Sequence, residues 1–325
     1  MRVVGLVPER LTQLGACQYY RVVLPLNALS KHIDTAVFDV TDLERATDEF
    51  IGAADIYVMS RVHGPGQSEF LRRIHDLGGK FVFDLDDDLT EEYRLVDGRG
   101  AELRSVLASA DAVSVGSTAL VERIRQHTAA PIHVTRNYVN SAWLYNERHP
   151  HTTLQVGVSG SPTHYMDWYP VHVALSRLKN CTVLLHGDMP GYFTYFKSAL
   201  RLPPCSFREY PRTLAQFDIL CCAVDSRDRF NDGKTWLKAL EAMAVGAVAV
   251  CSRNFAPYAA LAALGAPVVL VDDDGWYDTL QGLIDAPESV WAAQRAGQAW
   301  VRERGDMYST GWREWLKCYQ TVASS

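Results

Sequence analysis

The order of apolar runs predicts an α/β protein built from two doubly wound, parallel sheets. Three observations carry that expectation. Short apolar runs of strand length alternate with segments of helical period, the alternation occurs twice, and a polar stretch at 142–153 (AWLYNERHPHTT) separates the two series. At 325 residues the chain also exceeds what one ordinary hydrophobic core supports. We expect an N-terminal domain over 1–145, a second domain over 152–305 and a terminal helix over 306–325, with 142–153 as the linker.

In the first half, strands are expected at 3–7, 35–38, 56–59, 81–83, 112–116 and 133–135. Segments 22–29, 68–77 and 118–127 carry the helical period between them. In the second half the strands fall at 155–158, 182–186, 219–223, 247–251 and 267–270, again with helices intervening. Beyond Gly305, Trp312, Trp315, Leu316 and Tyr319 recur at helical spacing and define an amphipathic helix. Two doubly wound sheets side by side place a ligand cleft between the carboxyl ends of their strands.

Composition narrows the class. Hydrophobic residues make up 48% and charged residues 22%, as in a soluble globular protein. The net charge, 32 − 38 = −6, advertises neither nucleic acid nor an anionic membrane. Seven cysteines without ligand spacing fit a reducing cytosol, and no apolar run approaches a membrane span, so a cytoplasmic protein without a transmembrane segment is expected. GxGxxG after the first strand, the phosphate-loop lysine motif, GxSxG and HExxH are all absent, which removes dehydrogenase, P-loop, serine-hydrolase and zinc-protease readings.

Residues 231–246, NDGKTWLKALEAMAVG, are the richest in chemistry. At about 100° per residue Lys234, Lys238 and Glu241 share one stripe, opposite Trp236, Leu237, Leu240, Met243 and Ala244. Asn231 or Asp232 caps the first turn. A helix start carrying a lysine is an anion site, and a glutamate further along holds sugar hydroxyls, which together is the chemistry of a nucleoside diphosphate. The alternative is a solvated face with a Lys238–Glu241 pair. After the strand at 155–158, Ser159, Gly160, Ser161, Thr163 and His164 form a small, hydroxyl-rich turn suited to phosphate. His186, Gly187 and Asp188 end the next strand, and Asp225, Arg229 and Phe230 follow the strand at 219–223. In the first half, Asp84, Asp86, Asp87 and Asp88 crowd the end of a strand, either as solvated caps or in chemistry. The segment Cys17–Arg21 is expected at the carboxyl end of the first strand, and Arg136–Asn137–Tyr138, after the strand at 133–135, is a further cleft-edge segment.

Together these segments resemble the GT-B nucleotide-sugar glycosyltransferases, in particular the retaining group with a Glu-x7-Glu signature. The resemblance rests on VSVGSTALVERIRQHTAAPIHVTRN at 113–137, on VGVSGSPTHYMDW, and on FDILCCAV followed by N-x-x-K-T-x-x-K-x-x-E-A-M-A-x-G. It implies two Rossmann-like domains, an interdomain cleft and a C-terminal crossover helix. It also implies that Glu241 binds the donor ribose. The first signature glutamate falls at Gly233 and is missing, and Asn231 and Lys234 look like the substitute of the Asn-x-x-Lys-Ser/Thr subset. A basic pair usual after the second domain's first strand is replaced by Ser161, Thr163 and His164.

The implied activity is transfer of a sugar from a nucleoside-diphosphate sugar, UDP-sugar favoured, to an unidentified acceptor hydroxyl, with retention expected.

 Lys234, the helix start and the turn at 159–163 would stabilise the leaving diphosphate. Arg229, Asn231, Thr235, Gly160 and Gly187 complete the donor contacts, and Asp84, Asp86, Asp87 and Asp88 are placed on the acceptor side, as base or orienting group. No cofactor is required and a divalent metal is not expected. Two rivals stand beside this reading: a phage-type enzyme glycosylating hydroxymethyl pyrimidines in DNA, and a catalytically silent nucleotide-sugar-binding protein.

Overall fold

A computed structural model describes residues 1–8, 14–39, 47–61, 67–92, 99–148, 152–160, 164–196, 198–225 and 227–325. The chain forms two compact units. The first comprises Met1–Tyr138, Arg229–Thr235 and Met307–Ser325, and the second Val139–Asp228 and Trp236–Asp306.

The first unit holds β1 (Arg2–Val7), β2 (Asp34–Asp39), β3 (Ile56–Ser60), β4 (Lys80–Leu85), β5 (Ala112–Val115) and β6 (Ile132–Val134) in the order β2-β1-β3-β4-β5-β6. Every pairing is parallel. The strand order reverses between β1 and β3, so their carboxyl ends flank the crevice where such sheets hold ligands. β3 and β4 are buried along both faces because helices cover the sheet on either side, which explains their unbroken apolar runs. The helix Gln67–Asp76 buries Phe70, Leu71 and Ile74 on one stripe, and Ser117 caps the helix Thr118–Ile124 by accepting from the Leu120 N–H. Leu6, Tyr57, Met59, Phe81, Phe83 and Val113 join them in one core. Each such side chain contributes about 1.5–3 kcal/mol on burial.

The second unit repeats the plan with β7 (Leu154–Ser159), β8 (Cys181–His186), β9 (Leu200–Leu202), β10 (Ile219–Cys222), β11 (Val248–Ser252) and β12 (Val269–Val271). Their order is β12-β11-β10-β7-β8-β9, all parallel, with the reversal between β7 and β10. Val156, Val158, Trp168, Phe193, Ile219 and Trp276 lie in its core. β9 is absent from the sequence expectations. It is three residues long, mostly exposed and held only along β8, so no periodicity announces it.

Two further expectations change. The stretch 142–153 is not a bare linker in its first part. Trp143 and Leu144 are buried in a 3₁₀ turn, Trp143 against Phe207 and Tyr210, and Arg148 pairs with Asp218 at 2.5 Å. The helix expected from residue 231 starts later, at Leu237, and runs to Ala244. A separate 3₁₀ turn, Arg229–Gly233, precedes it. Lys234 therefore lies before the helix, not on its first turn, and does not share a helical stripe with Lys238 and Glu241.

The terminal helix Trp312–Ser324 belongs to the first unit and buries Trp315, Cys318, Tyr319 and Val322 there. Trp312 stacks on His32 at 3.8 Å, and Lys80 Nζ donates to the Val322 carbonyl at 2.8 Å. Among the described residues no helix is long and apolar enough to cross a membrane.

Candidate functional site

In the second unit, chemistry gathers where β7 and β8 end. Gly187 has φ +99°, and a Cβ there would meet the Gly160 carbonyl at 2.0 Å, so the two glycine turns touch backbone to backbone. A Cβ on Gly160 would meet His164 Cδ2 at 2.9 Å, Trp168 Cζ2 at 3.0 Å and Lys238 Nζ at 3.2 Å. Lys238, in the first turn of the helix Leu237–Ala244, donates to the Ser159 carbonyl at 2.8 Å. The lysine that the helix start was expected to carry is thus Lys238. Its contact with Ser159 is not legible in the sequence, where a pair with Glu241 is only the alternative reading, because a loop that brings Ser159 to the helix leaves no trace in periodicity.

The same strand ends hold a polar network. Ser159 Oγ lies 2.8 Å from His186 Nδ1, and His164 Nδ1 lies 2.7 Å from Asp167 Oδ2. Burial, then the Lys238 charge, pushes the His186 pKa below its ordinary value. The Glu241 carboxyl is only 6% exposed. Burial followed by the charge of Glu241 raises the Tyr210 hydroxyl well above the usual range. Ser161 and Thr163 lie outside the described residues.

In the first unit, a buried arginine organises the strand ends. Arg21 stands in a π-helical turn, Tyr19–Val23, a wide turn that often marks a functional position. Its five N–H groups are all used: Nε and Nη2 fork onto Asp84 at 2.9 and 2.8 Å, Nη1 donates to the Thr135 carbonyl and Asn137 Oδ1, and Nη2 also reaches Thr135 Oγ1. The Trp315 ring covers the guanidinium at 4.7 Å. Ser114 also donates to Asp84. Burial pushes the Asp84 carboxyl up, against the pull of Arg21.

The four carboxylates are therefore not a bare acidic cluster. Asp84 pairs with Arg21, Asp86 and Asp87 with Arg61, and Asp88 with Arg123 at 2.6 Å. Asp88 also accepts from the Thr90 N–H at 3.1 Å, tightening the turn into the next helix. Like-charge repulsion between this segment and an anion is correspondingly reduced. Arg61 follows β3 with φ 69°, at the crevice where the strand order reverses. Cys17, Asp86 and Asp87 each place a potential ligand atom within 4.8 Å of the others, and Arg61 pairs with both carboxylates, one positive charge against two negative.

Residues 229–235 cluster with the first unit. Asp232 pairs with Arg123 at 2.6 Å, Ser117 donates to the Gly233 carbonyl at 3.1 Å, and Asn137 Nδ2 donates to Thr235 Oγ1 at 2.9 Å. A Cβ on Gly233 would meet the Asp88 nitrogen and Leu120 Cδ2 at 2.9 Å, so this position has no room for a longer side chain. Asn231 is buried, its carbonyl accepting from the Lys234 N–H at 3.0 Å, and Arg229 is exposed. Lys234 Nζ sits 5.2 Å from the Phe230 ring centroid.

No family model matches the chain, and no curated protein does. Solved structures do. Anabaena HepE in complex with UDP and glucose matches with a TM-score of 0.68 at 13% identity, covering 100% of both chains. An alpha-glucosyltransferase in complex with UDP-glucose and DNA containing an abasic site matches with a TM-score of 0.70 at 10% identity, again over 100% of both. WaaG, a glycosyltransferase involved in lipopolysaccharide biosynthesis, matches at 0.62 and 11% identity, over 99% of this chain and 100% of its own. At such identities the likeness speaks for the fold: two six-stranded parallel sheets flanked by helices, matching the two Rossmann-like domains of GT-B glycosyltransferases.

Proposed function

We propose that the protein is a glycosyltransferase that moves a sugar from a nucleoside-diphosphate donor, UDP-sugar favoured, to an acceptor hydroxyl. One observation carries the reading. At the strand ends beside the second unit's reversal point, two glycine turns in backbone contact, the Lys238 ammonium and the His164 ring converge on one spot, and a buried glutamate lies one turn further along the same helix. Small residues let an anion approach the backbone, a cation neutralises it, and a carboxylate accepts hydroxyl hydrogen bonds. UDP is favoured because the HepE and alpha-glucosyltransferase structures hold UDP or UDP-glucose.

In this reading Gly160, Gly187, His164 and Lys238, with Ser161 and Thr163, hold the diphosphate, and Glu241 holds the ribose. Lys234, Arg229, Asn231 and Thr235 keep the donor roles implied by the Asn-x-x-Lys-Thr pattern, with Lys234 adding charge against the leaving group. Gly233 replaces the first signature glutamate in a position with no space for it, so the sugar is gripped without that carboxylate. Retention is the expected outcome. Asp86 and Asp87, which follow β4 and pair with Arg61 at the end of β3, are the acceptor-side carboxylates, with Asp84 and Asp88 beside them held by Arg21 and Arg123.

A thermal-shift panel of UDP-, GDP-, ADP- and TDP-sugars tests the donor, since ligand at a hundred times its Kd stabilises by about 2.7 kcal/mol. No shift with any member rejects the reading. Donor hydrolysis without acceptor separates an enzyme from a silent binder, which gives none. A DNA acceptor is the second reading, supported by the likeness to a glucosyltransferase bound to DNA. Transfer of labelled glucose to duplex DNA bearing hydroxymethyl pyrimidines tests it.

A further inference from the structure

We propose that Cys205 and His186 form a nucleophile–base pair, a modification site at which small-molecule disulfides exchange with the Cys205 thiol. Every group involved belongs to the second unit, and the pair does not depend on the donor reading. Cys205 follows β9 in a loop where Pro204 and Ser206 are exposed, and its own side chain is half-buried. Its sulfur lies 3.5 Å from Nε2 of His186, the last residue of β8. His186 is only 4% exposed, so the ring is fixed in the protein behind a thiol that is partly open to solvent.

Hydrogen-bond accounting orients the pair. Ser159 Oγ donates its one proton to the Tyr210 hydroxyl at 3.4 Å. In the 2.8 Å contact between Ser159 Oγ and His186 Nδ1 the ring nitrogen is therefore the donor. With its hydrogen on Nδ1, the ring presents a lone pair at Nε2 to the thiol. Burial, then the Lys238 charge, pushes the His186 pKa below its ordinary value, which keeps the ring neutral and hence a base. Thr213 Oγ1 stands 3.5 Å from the sulfur and 3.3 Å from the Glu209 carbonyl, so its proton can turn to the sulfur as negative charge develops there. A nucleophile, a base and a group that orients the base are the parts that activate a thiol. Other cysteines differ. Burial pushes the Cys181 thiol up to about 11, and Cys221, Cys251 and Cys318 are buried.

The exchange balances with the disulfide as its oxidant. As the Cys205 sulfur attacks one sulfur of the reagent, its proton passes to His186 Nε2. The new S–S bond forms, the old one breaks, and the departing thiolate collects the proton and leaves as a thiol. Cys205 is oxidised and one half of the reagent is reduced. Full-length protein treated with hydroxyethyl disulfide at neutral pH, followed by mass-spectrometric peptide mapping, reads the rate at each cysteine. Mixed disulfide should form at Cys205 at least roughly tenfold faster than at Cys181, and His186→Gln should slow Cys205 by about tenfold or more while leaving Cys181 unchanged. If a melting curve shows that His186→Gln does not fold, Ser159→Ala decides in its place. That variant keeps the imidazole but removes its Nδ1 partner, and should slow Cys205 by roughly threefold or more. A Cys205 that reacts no faster than Cys181, or a Cys205 rate unchanged in the folded variant, overturns the pair.

Discussion

At the residue scale, the donor assignment turns on two side chains of one helix. Glu241 is a buried ionisable group, and burying its carboxylate is tolerated only where partners or a ligand compensate it. Glu241→Gln keeps its size and should weaken UDP binding by roughly 1.5–3 kcal/mol with little change in melting temperature. Calorimetric affinity equal to wild type would remove it from the ribose site. In the proposed reading Lys238 and Lys234 divide the role that the sequence assigns to Lys234. Each is expected to act more strongly on the leaving diphosphate than on the bound donor, so Lys238→Met and Lys234→Ala should lower kcat more than they raise KM. Steady-state kinetics with the donor found in the panel decides between them. A variant with wild-type turnover marks its lysine as structural.

At the scale of elements, the segment 229–235 shows why a motif match is incomplete without packing. The turn Arg229–Gly233 is seated on Asp88 and on the helix Thr118–Ile124, with glycine at the closest approach. Gly233→Glu restores the signature in sequence but not in space. It should destabilise the protein, as overpacking typically costs about 1–3 kcal/mol, and should not raise activity. A variant as stable as wild type with faster transfer would contradict this packing. The neighbouring Arg21 turn shows the converse. Nothing in the run CQYYR marks the arginine as buried, yet its five hydrogen bonds connect β4, Thr135 and Asn137.

For the whole molecule, the terminal helix is part of the first unit's core. Trp315 covers Arg21, and Glu314 receives the Tyr138 hydroxyl at 3.0 Å and the Arg136 N–H at 2.9 Å. Deleting residues 306–325 should expose the Arg21–Asp84 pair and the apolar face around Cys318 and Tyr319. Disrupting a buried pair costs about 3–5 kcal/mol, so the truncated chain should melt much lower or aggregate. Unfolding monitored by circular dichroism measures it, and an unchanged melting temperature would sink the placement.

Sequence alone determined the alternation of strands and helices, since burial of both sheet faces writes continuous apolar runs and helix amphipathicity writes a 3.6 period. Eleven strand positions were legible on that basis, and the edge strand β9 was not, being short, exposed and held by one neighbour. Gly160, Gly187 and Glu241 were legible as candidates from their positions at strand ends and on a helix. Tertiary structure alone decided which charges meet. Arg21, Arg61 and Arg123 come from separate elements to pair with the carboxylates at 84–88, and Lys238 reaches Ser159 across 79 residues. Periodicity records how each segment faces its core, whereas ion pairs and close backbone approaches depend on distances between segments that no local pattern encodes.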